Sequence, residues 1–511
     1  MGNDILTLNG EPITTRHIVN IARHGQKVKL SKNCIENLRS TRKLLDQKVA
    51  GQLPYYGINT GFGALGKISI GHDSLHSLQQ NLIRSHAAGV GQNLSREVVR
   101  SVMAVLSASL CRGHSGVKAE TILVLLELLN HDLTPSIPET GSVGASGDLA
   151  ALSHIALSVI GEGTLSDRDG KILPSHKAMQ RVGIVPVVLE AKEGLALING
   201  THLMAGRGAL LVEDFQTVFT ASLFATAMSI DACRTTPNSL DPRIHRLRRN
   251  NGQIKVAERI LTYLHGSQIA RSHQGDDPRV QDPYSFRCCP AVLGAAWEAF
   301  GYFRTAITNE LGAVTDNPLL FEENSDLEIL SGGNFHGMPI AIPLDVLAIS
   351  IAHLAGITER RVFHMLSGID PEARLPTFMT PQAGLQSGLM IVQYTAAACC
   401  NEIIGLANPA SVANLSTSAG MEDYNSFGPR SAAKATRCLD LAKSVVSIEL
   451  LCASNGIEHH RPLRSSQSIE NGLSILRTKV TPLVEDRSPS NDIAEIEKLI
   501  SEDSFQLHPL S

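Results

Sequence analysis

The sequence predicts a mainly α fold: an N-terminal domain carrying a compressed glycine-rich turn, followed by a bundle of long helices. Three observations predict it. Apolar residues recur at three- and four-residue spacing over long stretches. Few segments alternate as strands do, and several helical runs are apolar all round, as helices buried on every side are.

The 511 residues suffice for two or three domains. With 43% hydrophobic and 18% charged residues, the chain reads as an ordinary globular protein with a large core. A net charge of −4 leaves no basic footprint for nucleic acid or an anionic membrane. The nine cysteines show no CxxC or Cys/His ligand spacing, so no metal site is expected. Their odd number predicts reduced thiols and a cytoplasmic location. The start, MGNDILTLNGEPITT, has neither a basic nor an apolar leader region, so no signal peptide is expected. Gly2 invites a myristoylation reading, but Leu6 stands where that motif wants Ser or Thr. Residues 338–357, the most apolar stretch, contain Asp345, His353 and two prolines, and are expected in the core rather than a membrane.

Taken in order, residues 10–50 carry short, charged helical patterns, and 53–66 form a turn-rich loop. Long helices follow from Ser74 to His131, as in REVVRSVMAVLSASLCRGHSG. Pro135, Pro138 and the glycines to Gly147 make a second loop, then a helix with Leu149, Leu152, Ala156 and Val159 on one face. A third loop, residues 199–201, leads into the apolar run GRGALLVEDFQTVFTASLFATAMSIDA. Helical patterns recur around 293–313, 343–366, 385–406 and 428–455, and the tail 486–511 is expected to be loosely held. The expected domains are 1–205 and 206–511.

The most informative stretch is GSVGASGDLAA, residues 141–151. One reading is a glycine-rich turn capping a helix, with Asp148 near its start. Yet every residue from Gly141 to Gly147 except Val143 is small, which allows tighter compression than a cap requires. If the Gly147 nitrogen is pressed onto the Ala145 carbonyl, a five-membered ring closes. Loss of water, including the Ser146 hydroxyl, leaves an exocyclic alkene. Such a ring is a strong electrophile, which no unmodified side chain provides, and helix N-termini aimed at it would hold developing negative charge.

In this setting Ala145-Ser146-Gly147 resembles the self-processing triplet of the histidine, phenylalanine and tyrosine ammonia-lyases, which becomes 4-methylidene-imidazol-5-one. YGINTGFG from Tyr56, LALINGT from Leu195, QDPYSFRC from Gln281 and GGNFHG from Gly332 resemble further active-site loops of that family, in its order. The resemblance runs from about residue 5 to RPLRSS, residues 461–466. Gly61 to Gly66 also spells GxGxxG, but no strand precedes it and no βαβ pattern surrounds it, so a dinucleotide site is not expected.

The resemblance implies elimination of ammonia from an aromatic amino acid, with L-histidine expected to give urocanate. The amine is a poor leaving group and the β-hydrogen is barely acidic. The ring would answer the first difficulty as an electrophile, and a positioned base the second. Tyr56 matches the family's base, and donors or positive charge would have to favour its ionised form. Tyr284 matches a second essential tyrosine. Arg287, one helical turn on, suits bidentate capture of the substrate carboxylate. Asn199 and Gln281 are expected to hydrogen-bond the ring or that carboxylate, and Phe335 to wall the side-chain pocket. Without the resemblance, each of these residues would be read as loop filling, core packing or a solvated charge.

Ser85-His86 matches the selectivity pair of histidine enzymes, and Glu422 a glutamate facing the imidazole. Imidazole has one ring donor and one ring acceptor, which a histidine and a carboxylate can satisfy. Met421, Tyr424, Cys289, His202 and Ile403-Ile404 depart from that pattern. They leave open another aromatic or modified imidazole substrate (tyrosine, phenylalanine, an ergothioneine-like molecule) or a 2,3-aminomutase. A non-catalytic helical scaffold is the reading from another class, against which Tyr56, Ser146, Tyr284 and Arg287 stand together. The family implies a homotetramer whose active sites combine several subunits, and requires no metal, nucleotide or pyridoxal phosphate.

Overall fold

The computed structural model describes residues 5–51, 53–275, 277–324, 326–380 and 382–505. Gly2 and residues 506–511 of the tail lie outside the described residues. Among the described residues helix predominates and the strands pair in two- and three-stranded sheets, so the fold is mainly α as expected. The chain divides into two compact units. The first runs to Glu213 and takes in Arg304–Leu344 and Pro409–Ala433. The second comprises Asp214–Phe303, Asp345–Asn408 and the chain from Lys434 on.

In the first unit the helix Arg96–Leu110 is buried at every residue from Val98 to Leu110. Thr15–His24 packs on it, started by a capping box between Thr14 and His17 and ended by left-handed Gly25. The buried Arg100 is held by carbonyls: its guanidinium donates to Ile21 O at 2.9 Å, to Leu129 O at 3.0 Å, and to Asp132 at 2.9 Å. Three further helices, Leu75–His86, Leu149–Val159 and Glu193–Ile198, pack on one another. Their ends carry the loops that matter most. His86 closes the first helix, Gly141–Asp148 enters the second, and Asn199 leaves the third. The strand Pro138–Thr140, which pairs antiparallel with Val90–Asn93, delivers the chain to Gly141.

In the second unit, aromatic rings fill the space between helices. Phe215 stacks on Phe300 with centroids 4.5 Å apart, and Phe219 on Trp297 at 5.0 Å. Arg361 and Glu449 form a fully buried ion pair at 2.5 Å, with Ser229 donating to the same carboxylate at 2.7 Å. The helix Met338–Ser367 is long and apolar enough to cross a membrane by composition, but 61% of its most apolar window is buried inside the protein. Pro339 lies in its first turn, where a missing N–H costs little, and Pro343 further along.

The tail corrects the sequence reading. Pro489–Ser501 is a helix that buries Ile496, Leu499 and Ile500, and Phe505 stacks on Phe224 at 5.6 Å. Apolar residues three and four apart give this segment one buried face, which its many charges concealed.

Candidate active site

The turn expected to carry the chemistry is pinned from both sides. Gly144 and Gly147 take left-handed φ of +73° and +78°. A Cβ at Gly147 would overlap the Gly200 carbonyl, and one at Gly144 the Ser426 hydroxyl, so both conformation and space demand glycine. Gly200 N–H donates to Ser146 O at 3.2 Å, and Asp148 N–H to Gly200 O at 2.8 Å. The Ser142 hydroxyl donates to Gly147 O at 2.9 Å. Ala145 is buried, while Ser146 is half-buried and turns its hydroxyl to Glu422.

Asp148 makes no cap bond to the helix that follows it. Instead its Oδ2 accepts the N–H groups of Leu203 at 2.8 Å and Met204 at 3.2 Å, at the start of His202–Ala232. It thus ties the turn to a second helix, which sequence spacing could not reveal. Complete burial pushes its carboxyl up to about 7, against the opposing pull of those two N–H groups. The folded chain therefore holds this proton more tightly than the unfolded one, and stability falls as pH rises from about 4 through 7. Asp148→Asn keeps an oxygen acceptor but never ionises. Its thermal midpoint relative to the wild type is expected to climb between pH 5 and 8. A difference that stays constant over that range would mean the carboxyl is already ionised in the fold.

Next to the turn lies a cavity of ≈ 690 Å³, bordered by Tyr56, His86, Ser146, Asn199, Phe335 and Glu422. Six of the sequence-predicted residues thus converge, with Leu82, Leu195 and Ile198 supplying apolar wall. Met421, one of the departures noted above, also borders it.

Each polar group in this cavity is oriented by a neighbour. Tyr56 Oη accepts the Gly63 N–H at 3.0 Å. Glu422 Oε1 accepts the Ser146 hydroxyl and Oε2 the Thr417 hydroxyl, each at 3.1 Å. The strained residues Ser418 and Ala419, with φ of 51° and 52°, turn the chain between Thr417 and Glu422. His86 Nδ1 lies 2.9 Å from Leu82 O. The Ser85 hydroxyl lies 3.0 Å from the same Nδ1, so the neighbours of His86 engage Nδ1 and leave Nε2 toward the ligand.

Gln281, Tyr284 and Arg287 belong to the second unit. There Tyr284–Arg287 forms a single helical turn, as expected. The Arg287 guanidinium sits 4.4 Å from the Tyr284 ring centroid, and its Nε donates to Asp282 O at 2.9 Å. Tyr284 is 70% exposed, and Gln281 is exposed beside it.

Sequence reasoning missed Lys192 and Asp316, which meet at 2.6 Å in the interior of the first unit. In the sequence no spacing signal links residues so far apart. Only the rule that buried charges are paired would have prompted a search.

The family profile for aromatic amino acid lyases matches residues 13–478. A histidine ammonia-lyase of Deinococcus radiodurans is 42% identical over 475 residues, 93% of this chain and 90% of that protein. The crystal structure of a histidine ammonia-lyase from Trypanosoma cruzi matches with a TM-score of 0.91 at 37% identity, covering 98% of this chain and 94% of that one. A tyrosine aminomutase from Streptomyces globisporus matches at 0.92 and 31% identity, with 98% of each chain covered. Fold and relatives together define a carbon–nitrogen lyase. The chain belongs to the aromatic amino acid lyase family.

Proposed function

We propose that the protein removes ammonia from L-histidine to give trans-urocanate, using 4-methylidene-imidazol-5-one formed autocatalytically from Ala145-Ser146-Gly147. The observation that carries this reading is the convergence of Ser146, His86 and Glu422 on one cavity. The triplet fits the group: position 147 admits only glycine, and the Ser146 hydroxyl that must leave as water is accessible from the cavity. Once formed, the group supplies an electrophile for the substrate's amine.

The chain's own residues do the rest. His86 Nε2 and Glu422 hold the imidazole, and Phe335 walls its pocket. Tyr56, whose oxygen takes a backbone N–H, is the base for the β-proton. Arg287 binds the substrate carboxylate, assisted by Gln281, and Tyr284 stands by the leaving amine. These three act in a homotetramer, where an exposed Tyr284 fits a residue lent to another subunit's cavity. The electrophile belongs to the unit that runs to Glu213 and takes in Arg304–Leu344 and Pro409–Ala433. The nine free cysteines suit a cytoplasmic setting, and no metal or external cofactor is required.

The test is a side-by-side turnover assay with L-histidine, L-phenylalanine and L-tyrosine, reading acrylate absorbance and released ammonia. Urocanate from histidine alone is the expected outcome. Ammonia from none of the three, in a chain whose mass shows the ring, would overturn histidine in favour of a modified imidazole substrate. A β-amino acid formed without free ammonia would make the protein an aminomutase.

A further inference from the structure

The loop that carries Glu422 is closed on itself and fastened to the 141–147 turn. Asn414 Oδ1 accepts the Asn425 N–H at 3.1 Å, and Asn414 Nδ2 donates to Asn425 O at 3.2 Å. Asn425, fully buried, donates in turn from its own side chain to Leu415 O. Just beyond this clasp, Phe427 N–H donates to Val143 O at 2.9 Å and the Ser426 hydroxyl to Gly144 O at 3.1 Å. The clasp and these two anchors set where the loop stands relative to Ser146.

Inside the loop a narrower clasp holds the glutamate. Thr417 N–H donates to Glu422 O at 2.8 Å, and Glu422 N–H to Thr417 O at 3.3 Å. The Thr417 hydroxyl lies 3.1 Å from Glu422 Oε2 and 3.2 Å from Glu422 O. It has one proton for two acceptors. The carbonyl already takes the Thr417 N–H, and the carboxylate is the stronger acceptor, so the hydroxyl proton goes to Oε2. In the unprocessed chain Oε1 accepts the Ser146 hydroxyl. Formation of the electrophile removes that hydroxyl. Among the described residues, Thr417 is then the side chain that still holds the carboxylate. Ser418, Met421 and Glu422 of this loop border the cavity, so Thr417 acts on it through Glu422.

We propose that Thr417 is a positioning residue for imidazole recognition: its hydroxyl occupies Glu422 Oε2 and keeps Oε1 aimed at the substrate's ring. This rests on the reading that the cavity holds an imidazole amino acid. A carboxylate that nothing holds must be ordered each time a ligand binds, and that ordering is subtracted from the affinity for imidazole. A phenyl ring makes no hydrogen bond to Glu422 and gains nothing from its orientation.

The experiment uses full-length protein, the wild type beside Thr417→Val, Thr417→Ala and Thr417→Ser. Valine keeps the β-branched shape and suits the extended backbone of this position, with φ of −126° and ψ of 178°, but has no hydroxyl. Alanine also lacks the hydroxyl and adds no bulk, while serine restores it. The main-chain bonds of both clasps remain in every variant, and thermal unfolding checks that the fold does. Dissociation constants are measured by calorimetry for 3-(imidazol-4-yl)propionate and 3-phenylpropionate, which differ only in the ring. Intact mass reports the deficit of two waters in each chain.

In Thr417→Val and Thr417→Ala the dissociation constant for imidazolepropionate is expected to rise about 10-fold, the scale of one hydrogen bond to a charged group. That for phenylpropionate should stay within about twofold of the wild type. In Thr417→Ser both should stay within about threefold. Equal weakening of the two acids would make Thr417 merely structural and overturn the proposal. An unchanged affinity for imidazolepropionate would overturn it too, as would a serine chain that binds it as weakly as the valine chain. Loss of the two-water deficit in the valine and alanine chains would move Thr417 from recognition to self-processing, against the proposal. A wild type that binds the two acids equally well overturns the imidazole reading itself, and the role of Thr417 falls with it.

Discussion

A Ser146→Ala chain is expected to fold as the wild type does and to release ammonia from L-histidine at least ~10³-fold more slowly. The structural cost is small, because the Ser146 hydroxyl makes one hydrogen bond, to Glu422 at 3.1 Å, from a half-buried position. A bond of that kind contributes about 1 kcal/mol. The chemical cost is large. Ring closure by the Gly147 nitrogen on the Ala145 carbonyl expels one water, and loss of the Ser146 hydroxyl with its α-hydrogen expels a second. Alanine can give up the first at most, so no alkene and no electrophile arise. Intact-mass measurement separates the two chains: the wild type should weigh two waters less than its sequence, and the variant one water less or none. Circular dichroism and thermal unfolding check the fold. A variant with normal turnover would sink the electrophile altogether.

Much of this was legible in the sequence because it rests on local rules. Long runs with apolar residues three and four apart became helices such as Arg96–Leu110 and Gly428–Glu458, close to where the pattern placed them. The glycines of the 141–147 turn were readable because a left-handed φ and a close approach leave no other choice. Tyr284 and Arg287 were placed together because one helical turn separates them. What escaped depends on partners distant in the chain. The three-residue strands Leu6–Leu8 and Val28–Leu30 pair in parallel, but each is too short to show alternation. Asp148 was read against its own helix and in fact secures the start of His202–Ala232. Lys192 and Asp316, 124 residues apart, pair in the interior with no spacing signal to link them. Which nitrogen of His86 is engaged follows from the Leu82 carbonyl one turn back, a backbone group that no residue identity announces.

Selectivity should show the other large effect. The wild type is expected to favour L-histidine over L-phenylalanine by about 10⁴-fold in kcat/KM, the scale reached when a site built for hydrogen bonds meets an analogue without them. His86 Nδ1 is engaged by Leu82 O and the Ser85 hydroxyl, so Nε2 is left toward the substrate ring. Glu422 Oε1 takes the Ser146 hydroxyl in the unprocessed chain, and processing removes that hydroxyl, leaving the oxygen open to a ring N–H. A phenyl ring would leave both groups unpaired, at about 1–3 kcal/mol or more each. His86→Leu is the cleaner variant, because Glu422 also touches Ser146 and its replacement could disturb formation of the electrophile. In His86→Leu the kcat/KM for histidine should fall about 100-fold while that for phenylalanine rises, since the leucine replaces an unmet polar group with apolar wall beside Leu82 and Leu195. The mass deficit of two waters should persist, which separates lost recognition from lost chemistry. A His86→Leu enzyme with the wild-type preference for histidine would remove His86 from the imidazole site and leave Glu422 to account for selectivity alone.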